Sequence, residues 1–209
     1  MVYLNIKNHN YMMKKITIIG GSLVVIILVV LFATGRLGKT QTPVGGTTQQ
    51  YPADYKNATY MIDGKAITLK NGMAENEIVP GSASKLITKY FGNELVTDLN
   101  DDGRTDVVFL LTQTGGGSGT FYYVVSALNT PQGYVGSDGY LLGDRIAPQT
   151  TELSQNPRHK HVIVVNYADR KPDESMVTPP SIGKSVYLKL DIQNMQWGIV
   201  APNFEGESR

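Results

Sequence analysis

The segment Asp98-Leu99-Asn100-Asp101-Asp102-Gly103-Arg104-Thr105-Asp106 concentrates the side chains best suited to chemistry in this chain. Hard divalent cations such as calcium take roughly six to eight oxygen ligands, and a tight loop can supply them from alternate side chains with a backbone carbonyl among them. With Asp98 as the first position, side-chain oxygens recur at Asp98, Asn100, Asp102 and Asp106, and the carbonyl of Arg104 falls between the last two. Gly103 stands where the chain must turn sharply. A helix-loop-helix site would add a bidentate glutamate at the place where Phe109 stands, inside an apolar run, so that architecture is excluded. The competing reading is a polar turn that binds nothing, because Asn, Asp and Gly favour such turns by themselves.

A second motif, Ser82-Ala83-Ser84-Lys85, matches the S-x-x-K nucleophile pattern of penicillin-binding proteins and serine β-lactamases. One helical turn between Ser82 and Lys85 would let the lysine take the serine's proton, which defines a small serine hydrolase as the alternative function. Its companions are missing: Ser137-Asp138-Gly139 stands in for S-D-N, and no K-T-G occurs. Ser82 as a plain helix cap accounts for the same residues. Gly115 to Gly119 lacks the lysine and hydroxyl pair of a phosphate-binding loop and fits a hairpin tip. His159 and His161 would share one face of a strand, but two histidines beside Arg158 and Lys160 describe a solvated edge better than a zinc site. Asp144-Arg145 and Asp169-Arg170 offer ion pairs or a polar cleft, and read as structural.

The elements that must position these residues are mostly strands. Thr59 to Ile62 and Lys65 to Leu69 flank Asp63-Gly64, and Asn71-Gly72 follows, both dipeptides suited to two-residue hairpin turns. Thr105 to Thr112 and Thr120 to Leu128 are rich in β-branched and aromatic residues and predict a central hairpin around the glycine-rich loop. His161 to Tyr167, Ser185 to Ile192 and Gln196 to Val200 predict further strands. One helix is expected, over Ala83 to Phe91, capped by Ser82 and stopped by Gly92, because Leu86, Ile87, Tyr90 and Phe91 recur at helical spacing. The predicted fold class is α+β, β-dominant: an N-terminal transmembrane helix followed by a single antiparallel-sheet domain with one packed helix.

The uncharged apolar run Ile16 to Ala33 lies between Lys14-Lys15 and Arg36. At about 1.5 Å per residue, the run to Gly35 matches the roughly 30 Å of a bilayer's hydrocarbon. Its length favours an uncleaved anchor over a cleaved signal peptide, whose apolar core is shorter. Lys7, Lys14 and Lys15 precede the run and only Arg36 and Lys39 follow it closely, which predicts the N-terminus inside and the C-terminal domain outside. Residues 1–11 then form an over-long start or a cytoplasmic tail, 12–36 the transmembrane anchor, 37–50 a flexible linker without acidic residues, and 51–209 an extracytoplasmic β-rich domain. That domain holds 14 basic and 18 acidic residues, a net charge of −4, which argues against nucleic acid as a partner. The chain contains no cysteine, so neither a lipid anchor on cysteine nor a disulfide is available.

From Asp98 to about Leu110 the sequence resembles the calcium loops of FG-GAP and related cell-surface β repeats, in which such a turn runs straight into an apolar strand. The resemblance implies a structural Ca2+ held by Asp98, Asn100, Asp102, Arg104 and Asp106. Blocks such as Pro80 to Lys85, Tyr90 to Glu94, Phe109 to Val125, Leu142 to Glu152 and Val165 to Arg170 resemble a family of small exported, membrane-anchored bacterial proteins of unknown activity. That likeness implies an envelope protein with a protein or glycan partner and carries over no catalytic residues. The expectation is a membrane-tethered, extracytoplasmic binding or structural module, calcium-stabilised.

Overall fold

The computed structural model describes residues 52–201, so the apolar run and the linker lie outside the described residues. Among the described residues no helix is long and apolar enough to cross a membrane. A 3-10 turn at Tyr55–Asn57 leads into β1 (Thr59–Ile62) and β2 (Lys65–Thr68), which pair as a hairpin. Asp63 and Gly64 between them have φ of 50° and 73°, the left-handed pair that a tight hairpin turn of this hand requires. Next come β3 (Met73–Glu77), β4 (Lys85–Thr97), β5 (Asp106–Gly115), β6 (Phe121–Thr130), β7 (Gly133–Gly136) and β8 (Tyr140–Asp144). They form a six-stranded sheet in the order β3-β4-β5-β6-β7, with β8 also on β6. The remaining strands, β9 (Ala147–Leu153), β10 (Val162–Asp169), β11 (Ile182–Asp191) and β12 (Gln196–Ile199), form a four-stranded sheet ordered β12-β11-β10-β9. All these strand pairs are antiparallel.

The central hairpin β5–β6 lies between two cores, which explains its uninterrupted apolar sequence. Val107, Phe109 and Leu111 with Tyr123, Val125 and Ala127 pack against Tyr60, Ile62, Ile67 and Leu69 of the first hairpin region. Val108, Leu110, Val124 and Leu128, on the opposite face, pack against Ile163, Val165, Leu188 and Leu190 of the four-stranded sheet. A strand buried on both faces loses its polar alternation, and each fully buried Val, Leu or Phe contributes about 1.5–3 kcal/mol.

The expected helix is not formed; Lys85 to Phe91 begin β4, a strand of 13 residues. Ile87, Thr88, Tyr90 and Phe91 are residues that strands favour, and β3 and β5 hold Leu86 to Lys89 from both sides. Thr88 is fully buried and accepts a hydrogen bond from Gln113 Nε2 at 3.1 Å, a cross-strand contact that a helix could not make. Gly92, expected to stop the helix, has φ +117° at a break in the β4–β5 register, and Asn93 beside it has φ +55°. Tertiary pairing thus overrides the local helical spacing, and the fold is β-dominant and antiparallel without a packed helix among the described residues.

β7 and β8 occupy successive halves of one edge of β6, and the gap between them holds Ser137-Asp138-Gly139. Met61 N–H donates to Ser137 O at 3.2 Å and Gly139 N–H to Met61 O at 2.7 Å, which fastens the first hairpin to the sheet. A Cβ on Gly136 would lie 2.2 Å from the Thr59 carbonyl oxygen, so the close approach requires glycine. The S-D-N-like segment is therefore a structural crossing.

Candidate functional site

The Asp98–Asp106 loop joins β4 to β5 and is organised around two carboxylates with different tasks. Asp98 Oδ1 accepts the N–H groups of Asn100 at 3.1 Å and Asp102 at 3.3 Å, and Oδ2 accepts that of Gly103 at 2.9 Å. Those bonds, that from Gly103 above all, outweigh desolvation and hold the Asp98 carboxyl below the usual carboxylate range. Asp101 and Gly103, with φ of 61° and 81°, supply the left-handed steps that curl the chain around Asp98. Asn100 Oδ1 and Asp102 Oδ1 each accept a further N–H inside the curl, from Asp102 at 3.1 Å and Arg104 at 2.9 Å.

Asp106 points the other way. It is fully buried at the start of β5, where Oδ2 accepts Leu99 N–H at 2.9 Å and Oδ1 accepts Asn129 N–H at 2.8 Å. Burial pushes its carboxyl up, against the two backbone bonds that favour the charge. The side chain ties both ends of the loop to the end of β6. Arg104 adds a second tie, because its Nε donates to Asn129 O at 2.6 Å while Nη2 meets Asp102 Oδ2 at 2.5 Å.

Residues far along the chain complete the loop. Lys160 Nζ pairs with Asp101 Oδ2, and His161 Nδ1 lies 3.2 Å from the Asp98 carbonyl oxygen. His161 Nε2 lies 3.1 Å from Asp101 Oδ1, an ion-pair contact when the ring is protonated rather than an aligned hydrogen bond. His159 and His161 do not share a strand face as expected, since both precede β10. His159 instead bonds Ser154 Oγ at 2.7 Å and stacks edgewise on Tyr187 at 5.8 Å. No local pattern in the sequence announces Asn129, Lys160 or His161 as partners of this loop; only the fold brings them there.

The donor set of the loop is entirely oxygen, which fits a hard cation such as calcium. Asp98, Asn100 and Asp102, with the Arg104 carbonyl, are the residues that would hold it; Asp106, expected as a further ligand, faces away with both oxygens bonded to backbone N–H groups. Among the described residues no three acidic or histidine side chains converge on one point. Asn100 Nδ2 and the Arg104 guanidinium both bond Asp102 Oδ2, so an incoming ion must displace two internal donors from that oxygen.

The S-x-x-K side chains have different partners. Ser82 lies in the turn before β4, where its Oγ accepts Ser84 N–H at 3.0 Å, and Lys85 Nζ pairs with Glu77 Oε1 at 3.2 Å. The helical turn that would aim Lys85 at Ser82 is absent. Asp144 pairs with Arg145 at 2.8 Å and also accepts Thr120 N–H. Asp169 takes Lys184 at 2.7 Å, while the Arg170 guanidinium donates to the carbonyls of Thr178 and Arg145. These groups hold loops in place. Comparison with protein-family models, with curated proteins and with solved structures found no match to this chain.

Proposed function

We propose that the chain is a membrane-tethered, extracytoplasmic β-domain acting as a binding or structural module of a bacterial envelope, stabilised by calcium at Asp98–Asp106. The observation that carries the calcium reading is the curl around Asp98, in which three backbone N–H groups bind one carboxylate and bring Asn100 and Asp102 onto the same turn. Calcium would replace the Asp102 contacts to Arg104 and Asn100 and neutralise the excess negative charge of the loop. Compartment supports it, because sites outside the cytoplasm fill at weak affinity, with dissociation constants of about 10⁻⁴–10⁻³ M.

Pro52 O accepts Tyr134 N–H at 2.8 Å, so the chain enters the domain near the β6–β7 turn, at the end of β6 that also carries Asn129 and the Asp98 loop. The opposite end of β6 bears the Gly115–Gly119 loop with half-exposed Phe121 and, across the sheet, exposed Val79. Exposed apolar side chains of this kind support a protein or glycan partner at that loop.

Protease added to intact spheroplasts tests the topology. The expected result is loss of an epitope on the C-terminal domain with retention of one at the N-terminus. A C-terminal epitope that stays protected until the membrane is lysed would contradict it.

A further inference from the structure

A second polar cluster sits where the 3-10 turn meets β4. Tyr55 and Tyr90 both donate their phenolic O–H to Glu94 Oε1, Tyr90 at 2.7 Å. Their rings lean on Phe109 with centroids 5.4 and 5.5 Å away, so the core fixes them from behind. Lys56 Nζ lies 4.0 Å from the centroid of the Tyr90 ring, 5.4 Å from that of Tyr55 and 3.9 Å from Glu94 Oε1. A cation over aromatic faces beside a carboxylate is the arrangement by which proteins recognise ammonium groups.

We propose that Tyr55, Tyr90 and Glu94 form a binding site for the ammonium group of a small organic cation, and that Lys56 occupies it in cis until such a ligand displaces it. Burial works against the charge of Glu94, but the two phenols hold its carboxyl below the usual range, so the anion is present at neutral pH. Burial and the bond to Glu94 push the Tyr90 phenol up to about 12, which keeps it a donor. Lys56 is a loose occupant. At 3.9 Å its ammonium makes no hydrogen bond to Glu94, and its side chain is 35% exposed. Its backbone carbonyl stays bonded to Gly72 N–H at 2.8 Å, so the side chain can swing out without moving the turn. Both phenols and Lys56 address Oε1, and among the described residues no donor bonds Oε2. A primary alkylammonium, which carries N–H donors, can use that oxygen; a quaternary one cannot.

The test is calorimetric titration of the full chain in mild detergent with n-butylammonium, using n-butanol as the uncharged control. Saturable binding of the cation alone is expected, and Lys56→Ala should bind it about fivefold tighter. Glu94→Gln still accepts the phenols and should keep the melting temperature while losing about tenfold in affinity. Lys56→Met keeps the aliphatic stem and serves where the alanine variant folds poorly. Equal affinity in wild type and Lys56→Met, unchanged affinity in folded Glu94→Gln, or no saturable heat from any variant would each overturn the proposal.

Discussion

Asp106→Ala is expected to lower the unfolding free energy by about 3 kcal/mol, the scale of leaving one buried and one half-buried donor unmet. The carboxylate is fully buried and is the acceptor for Leu99 N–H and Asn129 N–H, so its removal strands both backbone groups. Two effects oppose. Removing the side chain also relieves the cost of burying a carboxylate, the cost visible in the upward push on its titration. The stranded donors win because they sit at the junction of two chain segments with no alternative partner at hand. Asp106→Asn should fall between wild type and alanine, since its amide oxygen can accept one N–H while its NH2 opposes the other. Urea denaturation in chelator, followed through Trp197, reads the difference. A loss below about 1 kcal/mol would show that the carboxylate does not tie the loop to β6.

Phe109→Ala should have the larger effect on the fold as a whole, about 3–5 kcal/mol. Phe109 is fully buried on β5, and the rings of Tyr55, Tyr60 and Tyr90 pack around it with centroids 5.4 to 5.5 Å away. Deletion of the ring opens a cavity among three tyrosines whose hydroxyls are already committed, Tyr60 to the Tyr55 carbonyl and the other two to Glu94. They cannot collapse into the space without breaking those bonds, which places the cost toward the upper end of the range. Phe109→Leu refills most of the volume and should recover more than half of the loss. A drop under about 2 kcal/mol for the alanine variant would mean that the aromatic cluster repacks.

The parts of this fold legible in the sequence are those whose burial leaves a local pattern. β5 and β6 are apolar on both faces because each face meets a core, so Val107 to Leu111 and Tyr123 to Ala127 stand out without any alignment. Asp63-Gly64 announces its turn because few other residues take positive φ in succession. β3, β7, β8 and β9 left no such pattern: β3, β7 and β8 are short, and Gly133, Gly136 and Pro148 within β7 and β9 are residues that strands usually avoid. β4 was misleading for a physical reason. Its apolar residues fall at both helical and strand spacings, and partners on both sides decide between them.

The Asp98 loop divides in the same way. Its curl follows from Asp, Asn and Gly within a few residues. The inward turn of Asp106, by contrast, depends on Asn129, and the cap of Lys160 and His161 depends on how the second sheet packs. Contacts across such sequence separations carry no local signature. Arg104 in particular, expected to offer only its carbonyl, places its guanidinium on Asp102.

Thermal unfolding of the full chain with and without calcium tests the central claim most directly. With a dissociation constant near 10⁻⁴ M, about 10 mM calcium should stabilise the domain by about 2.7 kcal/mol and raise its melting temperature by about 5–10 °C. Asp102→Ala removes the oxygen shared with Arg104 and should abolish the rise. An unchanged melting temperature in wild type, or an equal rise in Asp102→Ala, would contradict a calcium-stabilised loop.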